Sequence, residues 1–138
     1  MAKAEGIPPT ASVASIGKGI RYMGNYCAAW SGVFTAQNSY QEFLSFTTGT
    51  GIIVGEFYLT AFAKPVATTM KDTVGQILLN GAIVYTGFLG AEVNRRPSAA
   101  SIPMVIPPFT EVIVQLIAGT TSADDDATAH FVGRVYDV

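Results

Sequence analysis

Gln76-Ile77-Leu78-Leu79-Asn80-Gly81-Ala82-Ile83-Val84-Tyr85 is the stretch that decides the fold. Two apolar runs flank an Asn-Gly pair. A two-residue type I′ turn needs positive φ at both central positions, which Asn tolerates and Gly adopts freely. The segment therefore reads as a β-hairpin closed by Asn80 and Gly81. Upstream, a long strand is predicted from Ile52 to Ala63, with Ile53, Gly55, Phe57, Leu59 and Ala61 on one parity. Its other parity (Ile52, Val54, Glu56, Tyr58, Thr60, Phe62) is only half polar. Gln41 to Thr47 sets Glu42, Leu44 and Phe46 against Phe43, Ser45 and Thr47, and Thr48-Gly49-Thr50-Gly51 follows as a turn. Ile20 to Thr35 reads as a strand or two, with Tyr22, Tyr26 and Trp30 sharing one parity.

Downstream, residues 87–100 read as a loop or crossover, and a short strand covers Ser101 to Ile106. Pro107-Pro108 ends it, since neither residue can donate a ladder hydrogen bond. Glu111 to Ala118 is the next strand, with Val112, Val114, Leu116 and Ala118 on one face. In the last strand, Ala127 to Tyr136, Ala129, Phe131 and Val135 alternate with Thr128, His130 and Arg134. The polar segment 119–126 between them suits a hairpin. Val (13), Ile (11) and Thr (14) outnumber Leu (6), and no sustained 3.6-residue period competes with the strands. The chain is expected to be all-β: an antiparallel β-sandwich, jelly-roll-like, of about eight strands. Residues 1–19 read as an extended N-terminal arm on a sandwich domain spanning 20–138.

Composition sharpens this. Of 138 residues, 49% are hydrophobic and only 13% charged, against about 25% charged in an ordinary soluble domain. Eight Lys plus Arg against ten Asp plus Glu give net −2, so there is no basic footprint for nucleic acid. No apolar run reaches the ~18 residues of a membrane helix, and no secretory signal follows Lys3. Cys27 has no second cysteine to pair with, which suggests synthesis in a reducing cytoplasm. With one Cys and one His, a zinc site built from those residues within the chain is excluded. No cofactor is expected.

The search for chemistry yields little. His130 would need a nucleophile such as Cys27 and an orienting acid brought to it by the fold; a surface or subunit-contact histidine is the plainer reading. Asp124-Asp125-Asp126 could chelate calcium, but the spacing is wrong for an EF-hand and a solvated hairpin tip explains it. Arg95-Arg96 is too short for a nucleic-acid patch, and no helix follows Gly49, Gly51 and Gly55 to make a phosphate loop. Tyr22, Tyr26 and Trp30, with Tyr40 nearby, could stack on sugar rings; a core or interface needs the same aromatics. No catalytic residue emerges, and the chain reads as a non-enzyme.

The positive signal is physical. The strands at 52–63 and 111–117 carry large apolar groups on both faces, whereas a two-layer sandwich covers one. Other subunits are the expected cover, which makes Tyr58, Phe62, Ile113 and Ile117 candidate interface residues. A trimer is the favoured homo-oligomer. The arm adds Ile7, Pro8, Pro9, Val13 and Ile16 as candidate contacts.

The phrases LLNGAIVYTGFLG, IPMVIPPFTEVIVQLIAG and ATAHFVGRVYDV, over about residues 75–138, resemble small β-sandwich structural proteins of tailed bacteriophages. Those proteins decorate or cement the capsid lattice, or sit at head and tail appendages, commonly as trimers. The resemblance implies a virion component made in the bacterial cytoplasm, with the major capsid protein or other virion proteins as partners. It carries over no site residues. A carbohydrate- or receptor-binding module, such as a phage fibre tip, is the alternative.

Overall fold

The computed structural model describes residues 19–35, 39–63, 73–89, 98–118 and 125–136. The hairpin at its centre joins β6 (Thr73–Leu79) to β7 (Ala82–Phe88). Asn80 and Gly81 take φ of 51° and 82°, the positive values the type I′ turn requires. Around that tip the chain nests three more antiparallel pairs. β5 (Ile52–Ala63) pairs β8 (Ser98–Ile106), β4 (Gln41–Thr47) pairs β9 (Glu111–Ala118), and β2 (Tyr26–Trp30) pairs β10 (Asp125–Tyr136). The nested ladder then rolls up: β10 also pairs β5, and β9 also pairs β6.

Rolling splits the eight strands into two sheets, in the order β2-β10-β5-β8 and β4-β9-β6-β7. That order is a jelly roll, reached by folding one long hairpin on itself. Two short strands bring the total to ten: β1 (Ile20–Met23) extends the first sheet beyond β2, and β3 (Phe34–Thr35) pairs β10. All ten lie in antiparallel pairs.

Three sequence expectations need correction. β8 starts at Ser98 rather than Ser101. The segment 119–126 does not close a hairpin, because β9 and β10 belong to different sheets and β10 already begins at Asp125. The simple alternation of β4 fails at a register shift between Glu42 and Leu44, which lets Phe43 and Leu44 both point inward.

Between the sheets, Phe43, Leu44, Phe46, Ile53, Phe57, Leu59, Ile77, Val112, Val114, Leu116 and Phe131 form one buried cluster. Phe131 is its hub, with ring centroids 4.4 Å from Phe57 and 5.9 Å from Phe46. Two glycines make room for that ring. Gly55 and Gly133 face each other across β5 and β10, and a Cβ on Gly55 would sit 2.7 Å from Phe131 Cζ and 2.3 Å from the Val132 carbonyl oxygen.

Candidate interaction face

Alternation in β1, β2, β10, β5 and β8 sends one set of side chains to the core and the other to the outer face. Lateral pairing arranges the outer set in rows. One row runs Met23, Tyr26, Arg134, Val54, Val105; the next runs Arg21, Ala28, Val132, Glu56, Pro103; a third runs Trp30, His130, Tyr58, Ser101. Fourteen large apolar or aromatic side chains are exposed among the described residues. Seven of them (Met23, Tyr26, Trp30, Val54, Val105, Val132 and Tyr136) lie on this one face.

The polar groups here are held in place rather than free to sweep. Glu56 accepts hydrogen bonds from Tyr58 Oη at 3.2 Å and Ser101 Oγ at 2.5 Å. Burial, then the hydrogen bond to the Glu56 carboxylate and its negative charge, raise the Tyr58 phenol above its ordinary value of 10. The Tyr58 ring also packs on His130 at 5.7 Å. Arg134 is clamped between two rings, its guanidinium carbon 5.6 Å from the Tyr26 centroid and 5.3 Å from that of Tyr136. Two shallow grooves run between these groups. One, of about 390 Å³, is lined by residues of β1 and β2, among them Arg21, Met23, Tyr26 and Ala28, and by Val132 and Gly133 of β10. The other, of about 530 Å³, lies between Tyr26 and Arg134 on one side and Glu56 and Pro103 on the other.

The aromatic trio read from parity is divided. The turn at Gly24-Asn25 pairs Met23 with Tyr26 and Tyr22 with Cys27. Two residues with the same number parity on either side of such a turn therefore face opposite ways. Tyr22 packs against the core, while Tyr26 and Trp30, each 60% exposed, stand on the outer face. Burial, with a smaller contribution from Cys27, pushes the Tyr22 phenol above its usual range, and its buried hydroxyl has no hydrogen-bond partner among the described residues. Tyr40 is exposed ahead of β4.

Tyr58 belongs to the face, half-buried in the row of Trp30 and His130. Phe62 is placed by its backbone register opposite Asp126. Ile113 and Ile117 are half-buried on the outer face of the other sheet. The arm residues Ile7, Pro8, Pro9, Val13 and Ile16 lie outside the described residues, as do Arg95, Arg96 and Asp124. Asp126 accepts the Thr35 hydroxyl at 3.0 Å, and no cluster of three metal-ligating side chains occurs among the described residues. Cys27 and His130 sit on opposite faces of the sheet, and burial pushes the Cys27 thiol up to about 12. A nucleophile needs the reverse shift, so these two do not form a catalytic pair.

Sequence reading missed Glu56, Arg134, Val132 and Val105 as members of one face. Alternation within each strand was visible, but the rows exist only once β10 is set between β2 and β5.

No family model matches this chain, and no curated protein matches it. A solved structure described as "Sacbrood virus of honeybee" is similar over 86% of this chain and 78% of that one, at 10% identity and a TM-score of 0.35. A score that low supports no conclusion about shared topology or role.

Proposed function

We propose that this chain is a non-enzymatic structural protein of a virus particle. In this reading it is a capsid decoration or cement protein that works as a homo-oligomer, a trimer, on the major capsid protein or other virion proteins. The observation that carries the reading is the concentration of seven exposed large apolar side chains on the outer face of the β1-β2-β10-β5-β8 sheet. Five strands about 4.8 Å apart and the three rows described above, about 6.8 Å apart, give a flat area of roughly 490 Å². That is about three-fifths of the ~800 Å² each partner contributes to a standard protein interface. Large exposed patches rimmed by polar groups mark interaction surfaces, and the low charge of the chain suits a protein embedded among other proteins. Jelly rolls serve capsids and lectins alike, so the fold agrees with the reading without selecting it.

Light scattering on the pure protein, followed by co-sedimentation with capsids, tests this. A defined oligomer that binds particles is expected. Trp30→Ala should weaken self-association or particle attachment by about 30-fold, the scale of an interface hot spot, with the unfolding midpoint unchanged. A wild-type protein that stays monomeric and ignores particles overturns the proposal.

A second reading rests on Tyr26 and Trp30 sharing a face with the oriented Glu56 carboxylate, the pairing of ring and acceptor that a saccharide uses. Wild-type protein that binds no member of a broad glycan array removes it.

A further inference from the structure

The connection from β8 to β9, residues 107–110, combines two features that seldom occur together. Phe109 has φ of 52°, a region that bulky L side chains rarely occupy. It is also 69% exposed, so its ring gains little from burial in its own subunit. The loop is braced against the Thr48-Gly49 turn. The Phe109 amide donates to the Gly49 carbonyl at 2.9 Å, and the Thr48 hydroxyl donates to the Pro107 carbonyl at 2.8 Å. The Thr110 amide donates to Thr48 Oγ1 at 2.8 Å, the Thr48 amide donates to the Thr110 carbonyl at 2.9 Å, and the Thr110 hydroxyl reaches the Pro108 carbonyl at 3.1 Å. Strain that surrounding structure over-determines is characteristic of functional positions, and a rigid exposed aromatic is the usual anchor of an interface.

The position of the loop indicates what it meets. It follows β8, one edge of the first sheet, whereas the 390 Å³ groove lined by Met23 and Tyr26 lies over β1 and β2 at the opposite edge. Both are at the same end of the sandwich, because the row from Met23 to Val105 crosses the sheet there. The groove is apolar and open, and large enough for one phenyl ring.

We infer that Phe109 is the anchor by which one copy docks head to tail on the next, its ring entering the groove over β1 and β2 of the neighbour. The inference rests on the self-assembly proposed above and names the parts that meet. Unlike edges joined this way form a heterologous contact, which closes into a ring if the rotation permits and runs on as a filament if it does not.

Phe109→Asn tests it, since Asn accepts the left-handed conformation without the ring. The urea midpoint of the dilute protein should hold or rise, while the association constant from light scattering falls about 30-fold. In a second arm, Phe109→Cys and Ala28→Cys are prepared separately and mixed under mild oxidation. A disulfide-linked dimer in the mixture, absent from either variant alone, is the expected result; the buried Cys27 is common to all three samples and serves as background. Three outcomes overturn the inference: an oligomer that Phe109→Asn leaves intact, a dimer formed by Phe109→Cys alone, or loss of assembly only on deleting residues 1–18. A wild-type monomer instead sinks the self-assembly reading itself, so the two failures are distinguishable.

Discussion

The two sheets share one core but present different outer faces. On the first sheet, exposed apolar groups alternate with a fixed carboxylate and a clamped guanidinium. On the second, the outer side chains largely cover one another. Ser45, Ile113, Leu78 and Ile83 form one row there, Ile117, Val74 and Phe88 another. Between them runs a polar row, in which Gln115 Nε2 donates to Gln76 Oε1 at 2.9 Å and Gln76 Nε2 reaches Thr86 Oγ1 at 3.5 Å. Ile113, Ile117, Val74 and Leu78 are only half-buried, and the exposed large apolar groups of that sheet are confined to β7, its edge. Apolar excess by parity looks the same in both strands read from sequence, yet lateral neighbours shelter it in one sheet and leave it open in the other.

The largest test breaks what the sheets share. Phe131→Ala removes the ring that touches Phe57 in one sheet and Phe46 in the other. A loss of about 3–5 kcal/mol is expected by urea denaturation. Hydrogen exchange should show both sheets losing protection together, and two separate transitions would argue against a single shared core.

Alkaline pH probes the first sheet, where Cys27 and Tyr22 face the core from β2 and β1. Burial of Cys27 raises its thiol from 9 to about 12, so the fold prefers the neutral form. That preference is whole below pH 9 and is lost as pH rises towards 12, on the order of 4 kcal/mol across the window. Tyr22 and Tyr58 shift the same way, so their share is whole below pH 10 and lost above it. Stability measured from pH 8 to 12 should fall steadily. Cys27→Ala should flatten the early part of the fall; an unchanged profile would mean that the thiol is not buried as described.

Matched serines on the two outer faces sharpen the contrast. Ile113→Ser should cost about 1–2 kcal/mol of stability and leave association untouched, since its ring of neighbours is its own sheet. Val132→Ser, on the open face, should cost under about 0.5 kcal/mol yet weaken association. Equal effects at both sites would erase the distinction drawn here. Gln76→Ala, which breaks the glutamine row, should cost about 0.5 kcal/mol by urea denaturation and leave association untouched.

Much of this was legible in residue order. The Asn80-Gly81 turn, the inward positions of β5 and β9, and the stop at Pro107-Pro108 follow from local φ preference and two-residue alternation, which do not depend on distant partners. The candidate site was legible only in pieces. Of Tyr22, Tyr26 and Trp30, read together as rings that could stack on a sugar, Tyr26 and Trp30 share the outer face and Tyr22 turns inward; Tyr58, read separately as an interface residue, lies on that same outer face. No strand by itself shows that a two-residue turn inverts parity or that a bulge at Glu42 turns two neighbours inward.

The low charge of the chain follows the same division. By itself the sequence determined a β-rich fold hinged on one hairpin, with more apolar surface than two sheets can hide from each other. Only the tertiary structure decided where the excess went. Register and strand order, set by contacts between residues far apart in the chain, fixed which apolar groups acquired neighbours and which were left facing outward.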